Sequence, residues 1–205
     1  VLERPDLLPD VVDKLRSFFE KAEREIPIYD DSSNTQPEFP SHSVFDSQRR
    51  KESVAESIHQ SPDKYYEKRE RSVRMSDNAL NKEAYLKNFY TNTNDEMVCQ
   101  LCKKIMPFKK RNGEYYFEAV ELLTKELISK ESEALYLALC PICAAKYKEY
   151  IKLDNNKSQD LIKRIRSSEI EEIAIETDHP ETLKFNPPHY LDVRTILTEL
   201  IEPED

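Results

Sequence analysis

The placement of the four cysteines constrains this chain more than any other feature, because they form two Cys-x-x-Cys pairs with none left over. Cys99 and Cys102 form the first pair, Cys140 and Cys143 form the second, and 37 residues separate the two pairs. Two such pairs at this spacing suit a metal ion held by four thiolates in tetrahedral geometry. The chain is therefore expected to bring two segments that are distant in sequence to one point.

Zinc is the metal that this ligand set favours, since four thiolates are a common shell for structural zinc. A rubredoxin-like iron site, which also uses Cys-Pro-x-Cys, is one alternative, and redox-active or disulfide-bonded cysteines are another. Four protein thiolates leave no position for a bound water, so we expect one Zn²⁺ ion with a structural role. A Lys/Glu-rich chain without a signal-peptide pattern favours the reducing cytoplasm as its location.

The residues around the cysteines predict a knuckle, a hairpin and a helix, in that order. The first pair lies in "MVCQLCKKIMPF", where a strand enters a tight turn, although Lys103 occupies the position at which such knuckles often have glycine. Asn112-Gly113 is a favourable two-residue hairpin turn. Pro141 suits the first position of a helix whose positive end faces the second cysteine pair. This order is that of a treble-clef zinc finger.

Hydrophobic spacing and proline-containing stretches divide the chain into four regions. We expect a helix and a linker over residues 1–46, a connecting region over 47–90, the four-cysteine finger over 91–153, and a helix, β-hairpin and closing helix over 154–205. The predicted fold class is therefore α+β, with a helical N-terminal arm, a zinc treble clef, and a C-terminal β-hairpin and helix.

Apolar periodicity predicts the elements within these regions. The expected helices cover residues 9–26, 47–60, 80–90, 158–168 and 191–201. A strand is expected at residues 64–76. The inward face of the helix at 80–90 is predicted to be Leu80, Ala84, Tyr85 and Phe89. A hairpin is predicted where Ile173 and Ile175 precede "DHPE" and where Leu183 and Phe185 follow it. The histidines are interpreted as linker, turn or capping residues: His42, His59, His179 and His189.

Together with the four cysteines, "EYYFEAVELL" and "ALCPICAAKYK" resemble the zinc-stabilised HNH endonucleases, a treble-clef family with a ββα metal site. In that family the second strand typically ends in "EVHHI" or "DVDHI", and the last cysteine pair reads "CPNCHAMLH". The resemblance places the catalytic-metal ligand at Val120 and the general base at Glu121. It places the family's Asn at Ile142 and its two further histidines at Ala144 and Lys148. None of the catalytic residue types is present at these positions.

These replacements argue against catalysis. Hydrolysis at an HNH site needs a divalent ion on the scissile phosphate and a base that activates water. Val120, Ile142 and Ala144 supply neither, and Glu121, as a single carboxylate, is more typical of a surface residue. The resemblance implies a degenerate finger that has kept the structural zinc and lost the catalytic metal. Metal-dependent cleavage through Glu121 is the last alternative.

A broader resemblance spans roughly residues 47–200. The stretches "YYEKRERSVRMS", "KEAYLKNFYTNTNDEMVCQLCKKIMPFK" and "LYLALCP" are similar to the C-terminal region of very large bacterial proteins that carry a sacsin-type, heat-shock-chaperone-like ATPase domain near the N-terminus. Because the chain opens at Val1 without an initiator Met, we expect it to be a piece of such a longer chain. The resemblance implies a bacterial protein with a role in antiviral defence.

Charge narrows the choice of partners. A net charge of −9 argues against a generally basic nucleic-acid binder but permits a local basic face. Basic residues concentrate on the knuckle, the hairpin and the following helix: Lys103, Lys104, Lys109, Lys110, Arg111, Lys146 and Lys148. Aromatic residues lie among them, which suits contact with the phosphates and bases of DNA or RNA. The alternative is a solvated surface on a finger that docks a protein partner or the rest of the parent chain. No apolar run is long enough to predict a membrane partner.

Overall fold

The computed structural model describes residues 37–63 and 80–201, which belong to the unit Gln36–Asp205. Within these ranges the fold is mixed α+β, with five α-helices and two antiparallel β-hairpins. The helices are α1 (Ser47–Gln60), α2 (Lys82–Tyr90), α3 (Pro141–Tyr147), α4 (Asn155–Ser167) and α5 (Pro187–Leu200). The strands are β1 (Glu118–Glu121), β2 (Tyr136–Leu139), β3 (Glu172–Glu176) and β4 (Pro180–Lys184). The predicted helix at 9–26 and the predicted strand at 64–76 lie outside the described residues.

Helix α1 confirms the helix predicted at 47–60. It begins at Asp46, whose carboxylate accepts a hydrogen bond of 3.0 Å from the backbone N–H of Arg49. Such a cap satisfies one of the backbone donors that the first turn of a helix leaves without a partner. The helix ends at Gln60, directly before Ser61-Pro62, since the residue that precedes a proline is disfavoured in helical conformation.

Helix α2 is present where a helix was predicted, but part of its predicted inward face is wrong. Leu80 and Ala84 are exposed, while the buried side chains are Leu86, Phe89 and Tyr90. The burial is concentrated in the last turns of α2 because Phe89 and Tyr90 pack against His189 of α5, whereas the start of the helix contacts the short 3₁₀ turn and β2 through Asn81 and Lys82. A contact at one end of a helix does not follow the stripe that periodicity predicts over its whole length.

The two hairpins contain different kinds of strand. In β3, Ile173 and Ile175 are buried and the intervening residues face solvent, which confirms the hairpin predicted from this alternation. All four residues of β2 are buried, and Leu137 lies opposite Val120 of β1. The closing helix α5 begins earlier than predicted, at Pro187, because two prolines fit the first turn after Asn186.

One continuous cluster of buried apolar side chains extends from Ile58 in α1 to Leu197 in α5. Helices α1 and α5 pack against each other at one end of it, and the two hairpins with α3 and α4 surround the other. Among the described helices, none combines the length and apolar character needed to span a bilayer.

Candidate metal centre

The two cysteine pairs meet at one point, as the sequence predicted. The sulfur atoms of Cys99, Cys102, Cys140 and Cys143 lie within 4.8 Å of one another, and all four cysteines are free of disulfide bonds. Four thiolates around one tetrahedral metal ion would be separated by about 3.8 Å, given metal–sulfur bonds of about 2.3 Å. Three of the side chains are buried and Cys102 is half-buried. The cluster can therefore hold a metal ion in a closed shell of four sulfur ligands.

The first pair is presented by a tight knuckle. Val98 pairs with Ile105 across it, and the N–H of Cys99 donates to the carbonyl of Lys104 at 2.9 Å. Lys103 has a φ of 59°, the left-handed conformation for which glycine is usually selected. Its side chain turns back so that Nζ donates to the carbonyl of Thr182, and burial lowers the pKa of this lysine. The lysine in the glycine position is thus held by a contact with β4.

The second pair lies where β2 ends and α3 begins. Cys140 is the N-cap residue of α3, Pro141 follows in the first turn as predicted, and Cys143 is one turn further on. The N–H of Cys140 donates to the sulfur of Cys99 at 3.3 Å, which links the two pairs directly. Such N–H contacts and the positive end of the helix favour the thiolate form that a metal requires.

Hydrogen bonds among the four thiols distribute their protons unevenly. The contact with Cys102 is the largest influence that lowers the pKa of Cys140. Contacts with Cys102 and then Cys140 raise the pKa of Cys143. Four thiolates at these distances repel one another, so the cluster alone keeps some of its thiols protonated. A divalent cation removes this repulsion and takes the place of the protons, as expected of a metal-binding cluster.

Gln100, between the first two cysteines, joins the two hairpins. Its backbone N–H donates to the carbonyl of Ala138 at 3.1 Å, and its side-chain Oε1 accepts from the N–H of Ala138 at 2.7 Å. On its other side, Nε2 donates to the carbonyl of Lys184 at 3.2 Å, and its carbonyl accepts from the N–H of Lys184 at 3.0 Å. Sequence reasoning missed this fully buried residue. Its only mark in the sequence is a polar side chain between apolar neighbours.

The positions at which the HNH resemblance would place catalytic groups contain no cluster of metal ligands. Val120 is buried in the core, Ala144 is buried in α3, and Ile142 is 72% exposed. The carboxylate of Glu121 accepts hydrogen bonds from Lys152 at 2.8 Å and from Tyr136 at 3.3 Å. These contacts occupy Glu121 within a cleft of about 380 Å³. Among the described residues, groups of three or more potential ligands form at the cysteines and at one exposed turn, and not in this cleft.

That exposed turn contains Asp178, His179 and Glu181, whose ligand atoms also lie within 4.8 Å of one another. The ammonium of Lys146 lies 2.8 Å from Asp178 and 4.0 Å from Glu181. Its hydrogen bond to Asp178 is the largest influence that lowers the pKa of this carboxyl to about 2. The lysine already supplies the positive charge that a cation would bring, so we assign no metal to this turn.

The seven basic residues predicted to contact nucleic acid separate into two groups. Lys103 is directed toward Thr182, Lys146 pairs with Asp178, and the ammonium of Lys148 lies 2.6 Å from Glu118. These three are engaged with their own chain. The other four lie on the knuckle and the following hairpin: Lys104, Lys109, Lys110 and Arg111. Within the described part of the chain, no carboxylate lies within 4.0 Å of the charged nitrogens of these four residues.

The hairpin that carries these cations is well defined, and we call residues 104–116 the basic hairpin. A hairpin turn is present as predicted, but it is one residue longer than the predicted two-residue turn: Lys110 pairs with Glu114, the N–H of Gly113 donates to the carbonyl of Lys110 at 2.9 Å, and Gly113 takes the left-handed position with a φ of 85°. Lys109 pairs with Tyr115 across the hairpin, and its Nζ lies 4.5 Å from the centre of the Tyr115 ring. The basic hairpin therefore presents its positive charges together with aromatic rings.

No protein-family model, curated protein or solved structure matches this chain. The resemblances to HNH endonucleases and to the large bacterial ATPases therefore depend on the motifs quoted from the sequence. The features of the structure that bear on function are the four-cysteine cluster, the cleft beside β1 and the basic hairpin.

Proposed function

We propose that this protein is a non-catalytic recognition module in which a structural zinc ion supports a basic hairpin that contacts DNA or RNA. The observation that carries this proposal is the group of four cations on the basic hairpin that have no carboxylate partner among the described residues. The metal centre, the cleft and the charge of the rest of the chain each support one part of it.

Zinc is supported by the four-thiolate ligand set and its burial. Tetrahedral sites with four cysteine ligands are characteristic of structural zinc, and a closed shell leaves no position for a reacting water. The order of elements along the chain, a knuckle followed by β1, β2 and α3, is consistent with a treble clef. The ion would fix the knuckle against the start of α3. The basic hairpin follows the knuckle directly in the chain, so the ion would also anchor the base of that hairpin.

A non-catalytic role is supported by the side chains in the cleft beside β1. Lys152 pairs with Glu121, the carboxylate at the position of the general base, and Lys148 pairs with the neighbouring Glu118. Val120 and Ala144 supply no metal ligand at the positions where the HNH resemblance requires one. A metal that binds phosphate and a free base are both needed for phosphodiester hydrolysis.

Contact with nucleic acid is supported by the concentration on one hairpin of four cations that have no carboxylate within 4.0 Å in the described part of the chain. Several lysines outside it pair with carboxylates: Lys87 with Glu114 (2.9 Å), Lys130 with Asp63 (3.3 Å), Lys152 with Glu121 (2.8 Å) and Lys184 with Glu172 (2.9 Å). The acidic residue of the basic hairpin itself, Glu114, is thus directed to Lys87. The remaining positive charges repel one another, and the phosphates of a nucleic acid relieve that repulsion.

The broader resemblance supports a location for the module in a larger protein. We infer that it forms part of the C-terminal region of a large bacterial ATPase of antiviral defence. Reduced, clustered cysteines support the cytoplasm as its location. In such a protein, the module would deliver the ATPase to nucleic acid without cutting it.

The test is a fluorescence-anisotropy titration of the metal-loaded protein with labelled DNA and RNA at two salt concentrations. The test variant replaces Lys109, Lys110 and Arg111 with Ala. The control variant replaces three cations near the α1–α5 groove with Ala and makes the same change in net charge: Arg49, Lys51 and Arg194. We expect affinity to fall by about 0.7 to 0.9 log units per tenfold increase in salt for each phosphate neutralised.

Loss of binding in the test variant and its retention in the control variant would support the proposed function. Absence of binding at low salt, or equal loss in the two variants, would overturn it and favour a docking module for a protein partner. Cleavage of the labelled nucleic acid that requires added metal and disappears with Glu121→Ala would instead identify a nuclease.

A further inference from the structure

The aromatic side chains of the basic hairpin include a stacked pair with an exposed outer ring. The rings of Phe108 and Tyr116 have centroids 4.9 Å apart and an angle of 11° between their planes. Tyr116 is half-buried, whereas Phe108 is 51% exposed. Because one face of Phe108 lies against Tyr116, much of its exposed surface belongs to the opposite face. A flat apolar surface is therefore presented to solvent beside the unpaired cations.

The backbone holds this stacked pair in place. The N–H of Tyr116 donates to the carbonyl of Phe108 at 2.9 Å, so the two residues are tied together across the hairpin. The N–H of Met106 donates to the carbonyl of Met97 at 2.8 Å, which ties the start of the hairpin to the segment just before Cys99. A ring held by its own hairpin loses little further conformational freedom when a ligand stacks on it.

Positive charge lies close to the stacked pair. The ammonium of Lys110 lies 5.9 Å from the centre of the Tyr116 ring, so a cation lies next to the stack. Arg111 is exposed at the turn, whereas Lys109 lies on the opposite face of the hairpin, over the ring of Tyr115. A base on the outer face of Phe108 would bring its backbone close to these positive charges. The combination of an aromatic platform and a basic track is typical of proteins that bind single strands.

Duplex nucleic acid does not fit this surface equally well. In a duplex both faces of each base are covered by neighbouring base pairs, so a base must be unpaired and extruded before a side chain can stack on it. In a single strand the base faces are already accessible. An acidic peptide would satisfy the cations of the basic hairpin but would leave the flat face of Phe108 without a partner of matching shape.

We propose that the basic hairpin binds single-stranded nucleic acid by stacking a base on Phe108 while Lys110 and Arg111 contact the adjacent phosphates. This inference rests on the proposed contact with DNA or RNA and adds the class of ligand and the residue that selects it.

Three labelled probes test it: oligothymidine, its duplex with oligoadenosine, and a strand of abasic sites of the same length. We expect the metal-loaded protein to bind oligothymidine more tightly than either of the others. Phe108→Ala is expected to weaken oligothymidine binding by about 5- to 150-fold, the effect of losing one stacked base. Phe108→Leu keeps an apolar side chain on the hairpin and is expected to show a similar loss, whereas Phe108→Tyr is expected to bind normally.

The controls separate stacking from folding. Phe45→Ala removes a phenylalanine that is fully exposed just before α1, and is expected to leave binding unchanged. Metal content and circular dichroism show whether each Phe108 variant keeps its fold. A single 2-aminopurine in the strand is expected to lose fluorescence when it stacks on the wild-type protein and to lose less with Phe108→Leu.

The outcomes distinguish this inference from the proposed function. Equal binding of single strand and duplex, together with normal binding by Phe108→Leu, would overturn the stacking inference. The proposed function would stay in place in that case if the variant at Lys109, Lys110 and Arg111 still failed to bind. An equal effect of Phe108→Leu on the abasic strand would also overturn stacking. Absence of salt-sensitive binding to any probe would overturn both.

Discussion

The two ends of the described core are organised by opposite means. At one end, the cysteine cluster brings together a knuckle and the start of α3, and one ion would hold the four ligands. At the other end, which we call the polar network, Arg50, Tyr85, Tyr90, His189 and Asp192 join α1, α2 and α5 through hydrogen bonds. A metal centre fails as a unit when the ion leaves, whereas a hydrogen-bond network can lose its members one at a time.

The polar network has two parts. Arg50 makes two hydrogen bonds of 2.6 Å to the carboxylate of Asp192, which also accepts a bond of 2.7 Å from the hydroxyl of Tyr85. His189 is fully buried, with Nδ1 2.6 Å from the hydroxyl of Tyr90 and Nε2 2.8 Å from the carbonyl of Ala134. The Nε2–H therefore donates to Ala134, and Nδ1 accepts from Tyr90. The sequence-based interpretation of His189 as a turn or capping residue was wrong, because the side chain packs inward from the first turn of α5.

Removal of the metal is expected to have the largest effect. Structural zinc contributes about 10 kcal/mol or more to folding, which is comparable to the whole stability of a small domain. A strong chelator should therefore unfold the knuckle, β1, β2 and α3 in one step. Circular dichroism and amide NMR spectra before and after chelation, with zinc added back, provide the measurement. Full retention of the folded spectrum after complete metal loss would show that the ion does not hold this end together.

Asp192→Ala is expected to lower the free energy of unfolding by about 3 to 4 kcal/mol, because it leaves Arg50 and Tyr85 without their shared partner. Asp192 is 4% exposed, and its removal leaves the charge of Arg50, whose side chain is 33% exposed, without its partner and the hydroxyl of Tyr85 without its acceptor. Urea unfolding of the metal-loaded protein measures the change. Glu199→Ala is a matched control, because Glu199 also links α5 to α1, through a bond of 3.1 Å to His59 that is exposed to solvent. We expect the control to change stability by at most about 1 kcal/mol.

The buried His189 is expected to make stability depend on pH. Burial, the largest influence, lowers its pKa to about 4, with smaller effects from Ala134, Asp192 and Arg50. The unfolded chain binds this proton near pH 6.5 and the folded chain does not, so this contribution is complete above pH 6.5 and is lost as the pH falls toward 4. Over this pH range the protonation of His189 is expected to lower the free energy of unfolding by about 3 kcal/mol.

Because acid also protonates metal-binding thiolates, the measurement is the difference in unfolding free energy between wild type and His189→Gln across this range. The difference between the two proteins isolates the histidine, since both contain the same cysteine cluster. A difference that stays constant from pH 6.5 to pH 4 would contradict a neutral, buried His189 and would remove the strongest contrast between the polar network and the metal centre.

Sequence reasoning succeeded where a feature depends on nearby residues. The two Cys-x-x-Cys pairs, a hairpin turn at Gly113 and the alternation of Ile173 and Ile175 can each be recognised from a few neighbouring residues, and each is present, although the turn is one residue longer than predicted. It did not identify the features that depend on tertiary packing. The four residues of β2 are buried on both faces, so they carry no alternation from which a strand could be predicted. The engagement of Lys146 and Lys148 likewise depends on carboxylates that lie far away in the chain.

Gln100 belongs to the same class of features, and its replacement tests the link between the metal knuckle and the two hairpins. Gln100→Ala leaves the N–H of Ala138 and the carbonyl of Lys184 without their side-chain partner, at an expected cost of about 1 to 3 kcal/mol. Hydrogen exchange at Ala138 should accelerate in this variant. Gln48→Ala, on the exposed surface of α1, is the control and should change stability by less than about 0.5 kcal/mol. Equal effects of the two substitutions would show that Gln100 does not join the hairpins.

The smallest predicted effect concerns the backbone of the knuckle at Lys103. Lys103→Gly and Lys103→Ala both lose the bond from the ammonium to Thr182, so the difference between them isolates the positive φ of this residue. A Cβ in the left-handed conformation costs about 1 kcal/mol, which the more flexible unfolded chain of the glycine variant partly offsets. We expect the glycine variant to be more stable than the alanine variant by up to about 1 kcal/mol in metal-loaded protein. If the alanine variant is instead the more stable of the two, the knuckle adopts another conformation at this position when the metal is bound. If the order is as expected, the wild-type lysine adopts a strained backbone conformation in the knuckle, and its hydrogen bond to Thr182 of β4 offsets part of that strain. The cysteine end of the core would then depend on a hydrogen bond as well as on an ion, which makes it more like the polar network.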